Sequence, residues 1–107
     1  MKIEVLYFEG CPNHLPAMEI VHETLRSLGR KDEIHQVEIR TQTEAEAMGF
    51  VGSPSIRING VDIEPWARTA ETFGVSCRTY SHGSKRGGVP SREQLRRAIE
   101  EGIREGR

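Results

Sequence analysis

The chain has 107 residues, which suits one domain spanning residues 1–107, because two cores of half that size would each be too small to be stable. Hydrophobic residues make up 36% and charged residues 29%, values that exclude a wholly disordered chain. The 15 basic and 16 acidic residues give a net charge of −1 and are interleaved, so neither a nucleic acid nor an anionic membrane is predicted as a partner. We expect a monomer.

The first predicted element is a buried strand over residues 2–8, which are rich in Ile, Val, Tyr and Phe and are closed by Gly10. Glu4 interrupts this apolar run and no small-residue cleavage site follows, so we predict neither a signal peptide nor a membrane span, and we expect a cytoplasmic protein. Without a secretory signal, Cys11 and Cys77 favour reactive-thiol or metal chemistry over a structural disulfide.

A helix is predicted next, running to about residue 28 and stopped by Gly29. Its apolar residues recur every three or four positions: Leu15, Met18, Val21, Leu25 and Leu28. Residues 33–39 are a second strand candidate. A short helix follows, and the capping-box spacing is matched either by Thr41 with Glu44 or by Thr43 with Glu46.

The strongest hairpin signal lies in residues 53–63, where two alternating runs are joined by Asn59-Gly60. We expect the chain to leave this hairpin at the end far from Pro54. The acidic residues beside the hairpin, Asp62 and Glu64, are expected to be solvated.

The pattern weakens over residues 64–90, and we predict a long loop there, with a short helical turn around residues 66–73. The last element is a helix that begins with a capping box formed by Ser91 and Gln94. An apolar stripe continues that helix: Leu95, Ala98, Ile99 and Ile103.

The predicted order is therefore β-α-β-α-β-β-α. The first β-α-β unit implies a right-handed crossover to a parallel strand, and the Asn-Gly hairpin adds an antiparallel pair. The predicted fold class is α/β, with a four-stranded mixed sheet and helices on both faces.

Cys11 is the first candidate for chemistry, because it follows a strand and precedes a helix. The unpaired N–H groups at a helix N-terminus stabilise an anion, which favours the nucleophilic, metal-binding thiolate. His14 follows three positions later, where a shared helical face would let it hydrogen-bond the sulfur or act as a second metal ligand. The alternatives are a Cys11 that packs as a small hydrophobe and a His14 on the helix surface without a role.

The run Cys11-Pro12-Asn13-His14 after the first strand, and the run Gly52-Ser53-Pro54-Ser55 before the hairpin, resemble the thioredoxin-fold superfamily. Small bacterial members are also similar in a Ser-Cys-Arg-x-Tyr segment. The resemblance implies that Cys11 is the nucleophile and that Pro54 is a cis-proline facing it. It also implies that the backbone of Ser53 contacts an extended substrate and that Pro12 and Asn13 bind substrate. The alternative is a trans Pro54 that opens an edge strand.

His14 occupies the place of the second cysteine in the family's Cys-x-x-Cys motif, so a local disulfide is impossible. Either Cys11 acts alone or Cys77 is its remote partner, and Arg78, Lys85 and Arg86 would favour a Cys77 thiolate if they lay close to it. The alternative is a loop cysteine without a role.

The predicted function is thiol–disulfide exchange through Cys11, with Cys77 or an external thiol such as glutathione as resolver, and without a cofactor. Its partner would be a protein or small-molecule thiol or disulfide. A second hypothesis is a soft-metal-binding protein that holds a transient Cu(I), Zn or Hg(II) ion with Cys11, His14 and Cys77. A third is a thioredoxin-like interaction module in which Cys11 is vestigial.

Overall fold

The computed structural model describes residues 1–105 and contains a four-stranded sheet, a two-stranded sheet and four helices within that range. In chain order these elements are β1 (Ile3–Tyr7), α1 (His14–Ser27), β2 (Ile34–Glu38), α2 (Gln42–Met48), β3 (Ser55–Ile58), β4 (Val61–Asp62), α3 (Pro65–Arg68), β5 (Tyr80–His82), β6 (Lys85–Gly87) and α4 (Arg92–Arg104).

The main sheet has the strand order β2-β1-β3-β4, so that β1 is central. Val5 of β1 lies opposite Gln36 in the parallel strand β2 and opposite Ile56 in the antiparallel strand β3. Ile58 pairs with Val61 across the β3–β4 hairpin. The mixed four-stranded sheet predicted from the sequence is confirmed.

The core is divided between the two faces of this sheet, because successive side chains of β1 point in opposite directions. Val5 belongs to the larger apolar cluster, in which α1 contributes Val21 and α4 contributes Leu95. Leu6 belongs to a smaller cluster with Phe50 of the segment that follows α2. Helices therefore cover both faces, as the β-α-β pattern predicts.

The hairpin turn and the two helix caps predicted from the sequence are confirmed. Asn59 and Gly60 adopt φ angles of 53° and 84°, the left-handed pair that a tight two-residue hairpin requires. Thr41, rather than Thr43, caps α2, since its side chain accepts a hydrogen bond from the Glu44 N–H at 3.1 Å. Ser91 caps α4 in the same way through the Gln94 N–H.

Replacing Ser91 with alanine is expected to lower the free energy of unfolding by about 1 kcal/mol, because the Gln94 N–H loses its acceptor. Chemical denaturation followed by circular dichroism measures the change. Thr43→Ala is the control, since Thr43 lies inside α2 and is exposed, and it should leave stability almost unchanged. Equal losses in the two variants would contradict the assigned cap.

The short helical turn predicted around residues 66–73 is present as α3, at Pro65–Arg68. The rest of the long loop predicted for residues 64–90 is wrong in one part, because the segment also contains the β5–β6 hairpin. The hairpin pairs Tyr80 with Gly87 and turns at Gly83, whose φ is 67°. Both strands are short and mostly exposed, so they lack the apolar alternation by which a half-buried strand is recognised in a sequence.

The expected exit of the chain from the β3–β4 hairpin is also wrong. The Ile63 N–H donates to the Ile56 carbonyl at 3.1 Å, so β4 runs back along β3 and returns the chain to the end where Pro54 lies. An antiparallel partner necessarily ends beside the start of the first strand. Within residues 1–105, no helix is both long enough and apolar enough to cross a membrane.

Candidate functional site

Cys11 lies in the turn that joins β1 to α1. Gly10 takes a φ of 90°, and the Cys11 N–H donates to the Phe8 carbonyl at 3.2 Å, which closes the turn. Asn13 is the N-cap residue and the helix begins at His14, so Cys11 precedes the helix instead of belonging to its first turn. Its thiol is half-buried and is not in a disulfide.

His14 is held on the sheet and not on the sulfur of Cys11. Its ring stacks on Tyr7 with the centroids 3.6 Å apart and the planes 6° from parallel. Its Nε2 lies 2.7 Å from Oε1 of Gln36 on β2. The shared helical face predicted for Cys11 and His14 is absent from the described structure, because the helix begins only at His14.

Pro54 is buried and follows Ser53 through a cis peptide bond, as the family resemblance implies. The backbone of Ser53, however, is already paired within the chain. Its N–H donates to the Ser76 carbonyl at 2.7 Å, and its carbonyl accepts from the Arg78 N–H at 3.1 Å. The expectation that these groups contact an extended substrate is therefore not met here, because residues 76–78 occupy them.

Cys77 lies directly beside this proline loop, where it forms a parallel bridge with Ser53. Bridged residues of neighbouring strands are about 4.8 Å apart. Ser53 also contacts the Cys11 turn. Its Oγ accepts a hydrogen bond from the N–H of Phe8 at 3.4 Å, and the Phe8 carbonyl closes that turn. The two cysteines thus lie at the same end of the main sheet, with Cys77 exposed to solvent and free.

The two residues between Cys11 and His14 differ in accessibility. Pro12 is exposed, whereas Asn13 is half-buried beneath the end of the β5–β6 hairpin. A Cβ atom on Gly88 would lie only 2.2 Å from Nδ2 of Asn13. The chain itself therefore covers part of the surface that the resemblance assigns to substrate.

The prominent polar feature of the fold is a buried ion cluster centred on Arg78, which sequence reasoning missed. Its guanidinium donates to both carboxylate oxygens of Asp62, at 2.8 and 3.3 Å, and to Oε1 of Glu64 at 3.1 Å. It also donates to Oγ of Ser55 at 3.1 Å. The solvated positions predicted for Asp62 and Glu64 are wrong, because both residues are buried and paired with a cation.

Two aromatic rings flank the same guanidinium. Its carbon lies 4.3 Å from the ring centre of Tyr80 and 4.9 Å from that of Trp66, distances at which a cation is attracted to a ring face. The Tyr80 hydroxyl donates to the Pro54 carbonyl at 2.6 Å. The cluster therefore joins the proline loop, the β3–β4 hairpin and the segment that carries Cys77.

Glu64 and Arg78 stay ionised in the cluster although both are buried. Burial opposes ionisation of Glu64, but hydrogen bonds from Trp66, Gln94 and Arg78 outweigh it and lower the pKa of that carboxyl below its usual value. Burial likewise opposes the charge on Arg78, and the bonds to Asp62 and Glu64 raise the pKa of its guanidinium. Burial raises the pKa of Tyr80 far above its usual value, so its hydroxyl stays protonated as a donor.

Two of the three basic side chains expected to act on Cys77 are engaged elsewhere. The guanidinium of Arg78 is bound by Asp62 and Glu64, and that of Arg86 donates to Oγ1 of Thr79 at 2.6 Å. The described residues 1–105 also include no group of three or more His, Cys, Asp or Glu side chains placed to hold a metal ion. Cys11, His14 and Cys77 are thus not assembled as a ligand set.

The model of a domain of unknown function, DUF2703, matches residues 13–99, which is most of the chain. This protein belongs to the DUF2703 family. Neither a curated protein nor a solved structure matches it.

The part of this DUF2703 protein that matches includes Ser53, Cys77 and the whole Arg78 cluster, and it begins two residues after Cys11. A signal for the cluster was present in the sequence. Arg78 and Tyr80 are two positions apart, as Asp62 and Glu64 are, which is the spacing of side chains that share one face of an extended segment. The pairing itself joins residues that are far apart in the chain, so spacing alone could not reveal it.

Proposed function

We propose that this protein is a thiol redox protein with thioredoxin-like topology, in which Cys11 attacks a disulfide and Cys77 resolves the product. The observation that carries the proposal is the bridge between Cys77 and Ser53, which brings the second cysteine to the proline loop at the sheet end that bears Cys11. In the sequence the two cysteines are 66 positions apart, as the difference 77 − 11 gives.

The arrangement of the elements supports the topology. A β-α-β unit leads into α2 and then into an antiparallel β3–β4 hairpin, and α4 returns to the larger core cluster. Cys11 follows β1 and Pro54 precedes β3, the two places that the family resemblance assigns to nucleophile and cis-proline. The segment with α3, β5 and β6 is an insertion between β4 and α4 relative to that pattern.

The proposed reaction proceeds in two displacements. The Cys11 thiolate attacks one sulfur of a substrate disulfide, forms a mixed disulfide with it and expels the other sulfur as a thiolate. The Cys77 thiolate then attacks the Cys11 sulfur and expels the second substrate sulfur. The substrate gains two electrons and the protons of both protein thiols, and the protein is left with a Cys11–Cys77 disulfide. An external thiol such as glutathione takes the second role when Cys77 does not.

A cavity of about 530 Å³ next to the Cys11 turn offers a place for the substrate. Neither cysteine lines it, but its wall includes Phe8 and Glu9, which lead into the Cys11 turn, and Val75, which lies two residues before Cys77. A larger cavity of about 680 Å³ lies between α4 and β5 and has no lining residue within three positions of either cysteine, so the smaller cavity is the relevant one. We place this chemistry in the cytoplasm, where thiols are kept reduced.

The test is mass spectrometry of the protein after reaction with a model disulfide. The wild-type chain should lose about 2 Da and yield a crosslinked peptide that joins Cys11 to Cys77. Cys77→Ser should instead accumulate a mixed disulfide on Cys11, whereas Cys11→Ser should reduce the rate of disulfide cleavage by about 100-fold or more, since the nucleophile is gone. The two serine variants are matched controls for each other.

Two other outcomes would change the roles assigned to the cysteines. A Cys11→Ser variant that cleaves the model disulfide as fast as wild type would refute the role of Cys11. A wild-type chain that never forms the 11–77 crosslink but is turned over by glutathione would assign resolution to the external thiol.

A further inference from the structure

We infer that Arg78 is a positioning residue that holds Cys77 in place beside the proline loop; this inference rests on the proposed function. Residues 69–79, between α3 and β5, form neither helix nor strand in the described structure. Regular secondary structure therefore does not fix the position of Cys77. The contacts that do fix it come from its neighbours Ser76 and Arg78.

The first set of contacts is made by the backbone. Ser76 accepts from the Ser53 N–H, and the Arg78 N–H donates to the Ser53 carbonyl, so the two hydrogen bonds lie on either side of Cys77. The approach is close enough to require glycine at position 52, since a Cβ atom there would lie 2.8 Å from Cβ of Arg78. These bonds set the place of residue 77 along the loop.

The second set is made by the Arg78 side chain, which is only 2% exposed. Its guanidinium is bound by Asp62 and Glu64 on the inner side, between the rings of Tyr80 and Trp66. Successive side chains of an extended segment point in opposite directions. Anchoring Arg78 inward therefore directs the preceding thiol outward, in agreement with the exposure of Cys77.

Anchoring Arg78 raises the effective concentration of the Cys77 thiol at Cys11. A thiol on a free segment of this length would sample many positions, and fixing that segment in advance removes part of the entropy cost of closing the ring. Arg78 is suited to this role because its planar fork bonds two carboxylates at once, whereas a lysine ammonium is a single point charge. The inference thus predicts that a positive charge at position 78 is not enough to hold Cys77 in place without the two-carboxylate geometry of arginine.

Arg78→Lys tests the inference through the redox equilibrium of the Cys11–Cys77 pair, measured in glutathione buffers. We expect the equilibrium constant for forming the disulfide to fall at least about tenfold, which corresponds to a potential about 30 mV less negative. Glu64→Gln should shift the potential in the same direction but by less. This variant provides the test if Arg78→Lys does not fold. Arg57→Lys is the matched control, because Arg57 donates to the Met48 and Gly49 carbonyls at the C-terminal end of α2 and has no bond to residues 76–78.

A potential that is unchanged in Arg78→Lys and in Glu64→Gln, or that shifts equally in Arg57→Lys, would overturn the inference while leaving the proposed function intact. A wild-type chain without an 11–77 disulfide would remove the resolving step of the proposed function. Hydrogen exchange then decides the inference by itself. The backbone amides of residues 53 and 78 should exchange faster in Arg78→Lys than in Arg57→Lys, after correction for any difference in global stability. Equal exchange rates in the two variants would overturn the inference.

Discussion

Replacing Arg78 with methionine is expected to lower the free energy of unfolding by about 3–5 kcal/mol at pH 7, because it leaves two buried carboxylates without their cation. Methionine keeps much of the apolar volume of the side chain, so the loss reports the missing charge and its hydrogen bonds. Urea denaturation gives the free energy. Arg97→Met is the control, since Arg97 pairs with Glu93 on the exposed face of α4 and its removal should have little effect.

The same variant should show a distinct dependence on pH. In the wild type the pKa of Glu64 is lowered, so its stabilising contribution is present above the pKa of the unfolded chain and is lost as the pH falls through the lower folded value. Without Arg78, Glu64 loses one of the hydrogen bonds and the positive charge that lower its pKa, so its ionised form contributes less to stability. The difference in stability between the two proteins should therefore be largest above the unfolded pKa of about 4.3 and should shrink as the pH is lowered below it.

A difference that stays constant or grows on acidification would contradict this account of the cluster. So would a loss no larger than that of Arg97→Met. Either result would mean that the ion pairs contribute little and that apolar packing holds residues 76–78.

Replacing Gly52 with alanine is expected to cost about 2–4 kcal/mol, through backbone strain and a steric clash together. The φ of Gly52 is 147°, in the region that side chains disfavour, and its Cβ would lie 3.3 Å from both the Arg78 nitrogen and the Ser76 oxygen. Those backbone atoms belong to the hydrogen-bonded bridge at Ser53 and cannot move without breaking it. Thermal or chemical unfolding measures the loss.

Gly29→Ala separates the two contributions. Gly29 has a φ of 69° but nothing within 4 Å of its missing Cβ, so its replacement should cost only the backbone strain, about 1–2 kcal/mol. The excess cost at Gly52 then reports the close approach of residues 76–78. An equal cost at both positions would show that this segment does not pack against the proline loop.

Local rules were sufficient for most of the regular elements. Asn59-Gly60 predicted a hairpin because few other residue pairs tolerate two left-handed positions, and the φ angles confirm it. Ser91 with Gln94 predicted the start of α4 because the cap is formed between residues three positions apart. In both cases the partners are neighbours in the chain, so the sequence contains the whole interaction.

The errors have two different causes. Spacing on a helix predicts His14 beside Cys11, but its partners Tyr7 and Gln36 lie on two strands that are distant in the chain. The β5–β6 hairpin pairs neighbours in the chain, but its strands are too polar and too short to show a period of two. The first error therefore comes from a contact that only the sheet creates, and the second from a local structure without a sequence pattern.

For the candidate site, the order of residues is enough to predict a cysteine after the first strand, a proline before the third and a second cysteine in the segment before the last helix. The position of Cys77 beside Ser53 depends on the folded chain, because the antiparallel β4 returns the chain to that end and Arg78 meets its counter-charges there. Burial reverses the preference of a charged side chain. In water Asp62, Glu64 and Arg78 would each remain solvated, and they become a structural anchor only when the fold removes the water and places them within hydrogen-bonding distance.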